Sequence, residues 1–392
     1  MLVSLAFIFV VGMILGKVLQ LGKLPSLLGM LITGIVLGPY VLNVLDASVL
    51  GISAELRKIA LIIILTRAGL NLNIYDLKKV GRPAVLMCFL PACLEILGMV
   101  LLAPMFLGIT ILEAAIMGTV VAAVSPAVIV PRMLTLMETG YGTKQSIPQM
   151  IMAGASVDDV FVIVLFAAFT GLAQGGEITP ASFVVIPTSI ILGLVGGVIV
   201  GVVLTLLFTK IHMRDSEKVL LILATSFFLV TIEDSMSGMI GFSGLLAVMA
   251  LGATLQQRKN EVAKRLSEKF SRLWVGAEIL LFVLVGATVD IQYALKAGVM
   301  AVVLIVCVLG FRMVGVFVCL IKTDLNKKER LFTAFAYMPK ATVQAAIGGL
   351  PLSMGLACGD IVLTVAVVAI LITAPVGAKM IDMTYKKFLQ PS

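Results

Sequence analysis

The sequence predicts an all-α polytopic membrane protein of about thirteen transmembrane helices arranged as an inverted repeat. Three observations predict it. Apolar stretches of about 20 residues, the length that crosses a bilayer core as a helix, recur along the whole chain. Lysine and arginine crowd into alternate connections between those stretches. A short motif returns at a constant offset later in the chain.

The 392 residues are 60% hydrophobic and 13% charged, with a mean hydropathy of +1.16. An ordinary globular domain is about a quarter charged, so a soluble fold of this length could not cover its surface. Apolar runs fall at residues 2–20, 24–44, 55–73, 82–106, 111–134, 147–172, 182–209, 217–233, 237–255, 271–291, 296–322, 329–350 and 356–382. The first has no basic segment before it and is long enough to span, so it reads as a helix and not as a cleaved signal. Every connection is short, which predicts one transmembrane unit over 1–392 and no soluble domain.

The net charge of +8 could suggest an acidic or nucleic-acid partner, but its distribution points to the lipid bilayer and to no nucleic acid. Of the 29 Lys and Arg residues, 23 lie in the odd-numbered connections or at the C-terminus. The even-numbered connections hold only Arg57, Lys58 and Lys296, and Arg67, Arg312 and Lys340 fall within spans. The positive-inside rule then sets the N-terminus outside and the C-terminus in the cytoplasm. The compact form suggests a multi-pass protein of a prokaryotic plasma (inner) membrane. Cys88, Cys93, Cys307, Cys319 and Cys358 sit in apolar segments without metal-ligand spacing and read as small buried fillers. His212 lies in a charged loop and reads as solvated. Arg67 and Glu278 lie close enough to a span end for snorkelling to account for them.

The repeat links GLNLNIYDLKKVG to GATVDIQYALKAG. Gly69, Asn73, Ile74, Lys79 and Gly81 match Gly286, Asp290, Ile291, Lys296 and Gly298, and Ser26 matches Ser243, all 217 residues apart. Seven helices separate the copies, an odd number, so the second must enter the membrane upside down. The division is a first repeat over 1–172, a linker helix within 173–216 and a second repeat over 217–392. Such repeats are the architecture of secondary transporters with a site near the membrane midplane.

Ionisable residues deep in a span are costly and mark a pathway by default. In AGASVDDVFVIVLF, Asp158 and Asp159 are adjacent in the middle of the sixth span. Neighbouring helical residues point about 100° apart, so both can line one wet cavity without sharing a proton face to face. A carboxylate drawn out of water, with a second negative charge beside it, binds a proton more readily. Protons and a small hard cation, Na+ or Li+, then compete for the same oxygens, which is the chemistry of exchange. The plainer reading is a structural pair that caps a kink or is neutralised by nearby cations. Glu95 and Arg312, also 217 apart, are mid-span and opposite in sign, and should pair. Glue between two helices is the favoured reading there, and tuning of the aspartates the second.

Two spans look interrupted: the fifth at Ser125-Pro126 and the twelfth at Pro339-Lys340 and Gly348-Gly349. They correspond, since Ser125 maps onto Thr342. Broken helices at matching positions point to a transport site, because half-helix ends carry partial charges. Lys340 could neutralise a carbonyl end or stand near the aspartates. A proline kink with a snorkelling lysine is the bland alternative. No enzyme chemistry is indicated: an intramembrane aspartyl protease needs two aspartates facing one another from separate helices. No cofactor is expected beyond the transported ions.

At RAGL (67–70), GASVDD (154–159) and MPKATVQAAIG (338–348) the chain resembles the cation/proton antiporter superfamily, and within it the NHA branch of sodium/proton antiporters. The resemblance runs over nearly the whole chain. It implies a homodimer of thirteen-helix subunits, with core, ion-binding helices at about 82–172 and 296–392 and dimerisation helices at about 1–44 and 182–255. It implies two broken, crossing helices and an aspartate that carries ion and proton by an elevator-like motion. By position Asp159 is the ion-binding carboxylate and Asp158 its partner. Some relatives carry a lysine on the eleventh helix and are electrogenic, whereas Arg312 with Glu95 resembles the electroneutral members. Lys340 leaves the stoichiometry open. A potassium/proton antiporter and an ion-coupled symporter of an organic solute are the alternatives within this fold. The former often has a regulatory nucleotide-binding domain after its last span, which this sequence would have to obtain from another chain.

Overall fold

The computed structural model of the protein describes residues 1–72, 81–174, 182–236 and 242–391. The first third holds α1 (Leu2–Leu21), α2 (Ser26–Leu37), α3 (Ala47–Gly51), α4 (Ser53–Asn71), α5 (Arg82–Met87), α6 (Leu90–Leu107), α7 (Ile111–Ala122) and α8 (Pro126–Glu138). The middle holds α9 (Ile147–Gln174), α10 (Ser182–Lys210), α11 (Asp215–Met236), α12 (Gly244–Arg258) and α13 (Asn260–Ala287). The last part holds α14 (Ile291–Cys319), α15 (Lys327–Ala336), α16 (Thr342–Ile347), α17 (Leu350–Ser353) and α18 (Gly359–Phe388).

Each apolar run overlaps a helix or a pair of helices, and the protein is all-helical as expected. Among the described residues, eight helical stretches are long and apolar enough to cross a membrane. The departures have local causes. α2 stops at Leu37, short of residue 44, because Gly38 and Pro39 follow and Asn43 turns the chain at φ 49°. α13 starts at Asn260, well before residue 271, because its first turns carry Lys264, Arg265, Lys269 and Arg272. An amphipathic start is invisible to a search for apolar runs. The run at 82–106 breaks at Cys88-Phe89, where Pro91 opens α6 in its first turn. Of the repeated motif, Asn73, Ile74 and Lys79 lie outside the described residues, as do the side chains of Ile291 and Lys296.

Large apolar side chains stand open on the helices, among them Met105 (80% exposed) and Leu2 (77%). In water such surface would drive aggregation; in lipid it is ordinary.

The chain forms two compact units, one of Met1–Ala54, Tyr75–Val162 and Ile279–Ser392, the other of Glu55–Ile74 and Ile163–Glu278. Within the first unit α6 lies along α14 and α1 along α2. The same unit holds the last turns of α13, crossed closely by α2: a Cβ on Gly34 would lie 1.9 Å from the Val283 carbonyl oxygen, and one on Gly286 2.2 Å from that of Leu31. Within the second unit α10 packs on α12, and α4 crosses α12 in the same way. There a Cβ on Gly69 would lie 2.4 Å from the Met249 carbonyl oxygen. Gly69 and Gly286 match one another under the 217-residue offset, so each copy makes a close backbone crossing at the same place. Lipid offers no hydrophobic drive for helix association, and backbone-to-backbone approach through small residues supplies the packing instead.

Candidate functional site

The site is built entirely within the first unit, on the two interrupted spans. A capping box at Thr110 and Glu113 starts α7, which ends at Ala122. Ala123 (φ −67°, ψ 142°) and Ser125 (φ −90°, ψ 109°) are extended, and Pro126 restarts the helix where its missing N–H costs nothing. The other interruption spans residues 337–341, between α15 and α16. The two breaks meet: the Ser125 N–H donates to the Pro339 carbonyl at 2.8 Å. The Lys340 N–H donates to Thr373 Oγ1 of α18 at 3.0 Å.

Breaking a helix in an apolar interior leaves carbonyls that must find donors. Gln344 Nε2 takes two of them, Val121 at 3.1 Å and Ala123 at 2.8 Å. Arg312 Nη1 takes the third, Ala122. Side chains from α14 and α16 thus cap the C-terminal end of α7.

Four buried charges form a row of alternating sign. Lys340 Nζ lies 2.6 Å from Glu95 Oε2, the same oxygen lies 2.8 Å from Arg312 Nη1, and Arg312 Nη2 lies 2.8 Å from Asp158 Oδ2. None of the four side chains is more than 1% exposed. Arg312 also donates Nε to the Tyr337 carbonyl at 2.7 Å, and its guanidinium lies over the Tyr337 ring. An ion pair so deep is strongly destabilised when one partner goes, by roughly 3–5 kcal/mol. Here every charge has a partner, and the row sums to zero.

Asp159 is different. Asp158 Oδ2 accepts from Arg312 and from the Val124 N–H at 3.0 Å, but among the described residues no ion pair reaches Asp159. Its Oδ1 is buried without a hydrogen-bond donor, and so are Asp158 Oδ1, Ser125 Oγ, Gln344 Oε1 and Glu95 Oε1. The residues that carry these oxygens are linked through the break: Asp158 holds Val124, Gln344 holds Ala123, and Ser125 follows. Hard oxygen acceptors with no donors suit a hard monovalent cation or a proton. Gly154, one turn before Asp158, lets α9 approach: a Cβ there would lie 2.0 Å from Tyr337 Oη.

Among the residues named from sequence, Glu95, Ser125, Asp158, Arg312 and Lys340 belong to this one assembly, Pro126 opens α8, and Thr342 is buried in the first turn of α16. Sequence reasoning did not connect Lys340 to Glu95, linked Arg312 to the aspartates only as a second reading, and passed over Gln344. A signal for Gln344 was present, an amide inside an apolar span beside a break.

An all-helical membrane chain with two broken helices meeting among buried acids belongs to the class of secondary transporters of small ions. Comparison with known proteins agrees and goes further. The family model for the sodium/hydrogen exchanger, transmembrane, matches residues 5–387. The chain belongs to that family. It is 34% identical over 412 residues to sodium/hydrogen exchanger 9B2 of Homo sapiens, covering 99% of this chain and 75% of that protein. It is 30% identical over 415 residues to sodium/hydrogen exchanger 9B1 of Homo sapiens, covering 99% and 78%. Its fold is similar to that of the sodium proton antiporter MjNhaP1 from Methanocaldococcus jannaschii at pH 8, with a TM-score of 0.84 at 21% identity over 98% of this chain and 97% of that one.

Proposed function

We propose that the protein exchanges Na+ (or Li+) for H+ across the membrane, with Asp158 and Asp159 as the pair at which cation and proton compete. The observation that carries this reading is the contrast between the two carboxylates. Asp158 is neutralised by Arg312, whereas Asp159 has a buried oxygen with no donor. A carboxylate oxygen buried without a partner makes the ionised form costly. Asp159 therefore carries a cation or a proton, and one excludes the other. Ser125 Oγ and Asp158 Oδ1, also buried without donors among the described residues, add oxygens from the protein side.

The same contrast bears on stoichiometry. Arg312 stays charged at any working pH, and Lys340 is held by Glu95. One carboxylate is thus left for the cargo to neutralise, which favours one cation for one proton and an electroneutral cycle. The homodimer and the outside-to-inside orientation of the termini belong to this proposal through the family resemblance and the charge count.

The test is reconstitution in liposomes that enclose a pH dye, with an imposed pH gradient and Na+, Li+ or K+ added in turn to wild type and Asp159→Asn. Sodium or lithium should dissipate the gradient in wild type and not in the variant. A response to potassium alone would keep the mechanism and change the substrate. No response to any cation across a range of pH would refute the exchange reading.

A further inference from the structure

We propose that Gln344 supplies a neutral oxygen ligand to the transported cation and that its tethered amide sets the ion size the site accepts. This rests on the exchange reading above and adds to it a ligand that the acidic residues do not reveal.

A glutamine amide has two N–H donors and one carbonyl oxygen with two lone pairs. Both donors of Gln344 are spent on the Val121 and Ala123 carbonyls. Which end of the amide is nitrogen follows from these partners: turned over, the amide would press its oxygen against two carbonyl oxygens and leave its hydrogens unused. The orientation is therefore determined, and Oε1 faces away from α7. The side chain is fully buried, and Oε1 has no donor among the described residues. Leaving such a group unsatisfied costs about 1–3 kcal/mol, so the position calls for a partner that the described residues do not provide.

That oxygen is not isolated in kind or in place. Nine buried side-chain atoms lack a hydrogen-bond partner among the described residues, and five of them belong to Glu95, Ser125, Asp158, Asp159 and Gln344. All five are oxygens able to accept. One carbonyl that Gln344 grips is that of Ala123, and the next two residues are Val124, held by Asp158, and Ser125. A cation that draws on Asp158, Asp159 and Ser125 can find in Gln344 Oε1 an uncharged ligand. Two hydrogen bonds to carbonyls two residues apart at the α7 end hold the amide in place, so this oxygen cannot follow an ion of another size. A ligand fixed in that way discriminates by radius, whereas a mobile carboxylate adapts.

The experiment measures exchange and ion-dependent thermal stability for wild type, Gln344→Leu, Gln344→Asn and Asp159→Asn. Gln344→Leu should raise the KM for Na+ at least tenfold with a smaller effect on kcat, and should flatten the preference among Na+, Li+ and K+. In purified protein, the rise in unfolding temperature given by NaCl over choline chloride should be reduced, since a ligand stabilises only as far as it binds the folded state. If Gln344→Leu does not yield folded protein, Gln344→Asn carries the same test. Its amide is kept but stands one methylene further back, so its ion preference should shift. A residue that merely clamps α7 would lower the unfolding temperature equally with and without Na+ and leave the cation ratios at wild-type values, and that result would overturn the proposal. The two readings fail separately. Exchange in wild type that is lost in Asp159→Asn, with normal ion ratios in both Gln344 variants, removes only the role of Gln344. Absence of exchange in wild type removes the reading beneath it.

Discussion

Removing Glu95 and Lys340 together should cost far less stability than removing them one at a time. The row Lys340, Glu95, Arg312, Asp158 alternates in sign with spacings of 2.6, 2.8 and 2.8 Å. Glu95→Gln leaves two cations and one anion buried, and Lys340→Gln leaves two anions and one cation. Each single change should cost about 3–5 kcal/mol, the usual penalty for breaking a buried pair from one side. The double variant keeps the neutral Arg312–Asp158 pair, and the two new amides can bond to each other. Its cost should not exceed that of the larger single, which makes the coupling at least the cost of the smaller single, ~3 kcal/mol. For a chain of this length each single shift is on the order of 5 °C in unfolding temperature. Trp274 is the only tryptophan and is buried, so its fluorescence in detergent micelles at a fixed scan rate reports the transition. Costs that simply add would show that Lys340 and Glu95 do not depend on each other, and the row would then not be a unit.

Three further outcomes follow from the same geometry. Asp158→Asn should lower the unfolding temperature as well as abolish exchange, because Arg312 loses a charged acceptor, whereas Asp159→Asn should abolish exchange at near wild-type stability; equal unfolding temperatures for the two would contradict the asymmetry. Arg312→Lys should be nearly as destabilising as Arg312→Met, about 3–5 kcal/mol, since one ammonium cannot reach Glu95, Asp158, Ala122 and Tyr337 at once; unfolding in detergent measures it. Gly34→Val and Gly69→Val should reduce the yield of folded protein, since each new Cβ would meet a backbone carbonyl and overpacking against backbone costs at least ~1–3 kcal/mol. Gly310→Ala, whose Cβ meets nothing within 4 Å, should be neutral or stabilising by up to ~1 kcal/mol, by the same unfolding assay.

Much of this site was legible because its chemistry is written in residues that do not belong in lipid. Ser125-Pro126 and Pro339-Lys340 announce their breaks through the missing proline N–H, and Glu95 and Arg312 are conspicuous as mid-span charges. The partners of those charges were harder to see. Whether Arg312 reaches Glu95, Asp158 or both depends on how each helix is rotated about its own axis, and a stretch that is apolar on every side gives no periodicity from which to read that rotation. Lys340 stands on the break itself, where helical spacing does not apply. Gln344 escaped because a search for charges passes over an amide, although an amide in lipid also needs partners. The beginning of α13 escaped for the opposite reason, since its charged first turns look like a loop when only apolar runs are sought.

The contact between Glu95 and Arg312 has a geometric meaning apart from its energy. Their positions are equivalent under the 217-residue offset, and a position that touches its own equivalent stands beside the rotation axis relating the two halves. Points on such an axis stay put when the halves trade conformations. The inner pair could thus serve as a pivot, with the same partner before and after any such trade. The outer members of the row have no such twin: the equivalent of Asp158 is Pro375 and that of Lys340 is Ala123. Neither proline nor alanine can carry charge, so those two contacts belong to one arrangement only and have no equivalent in the other.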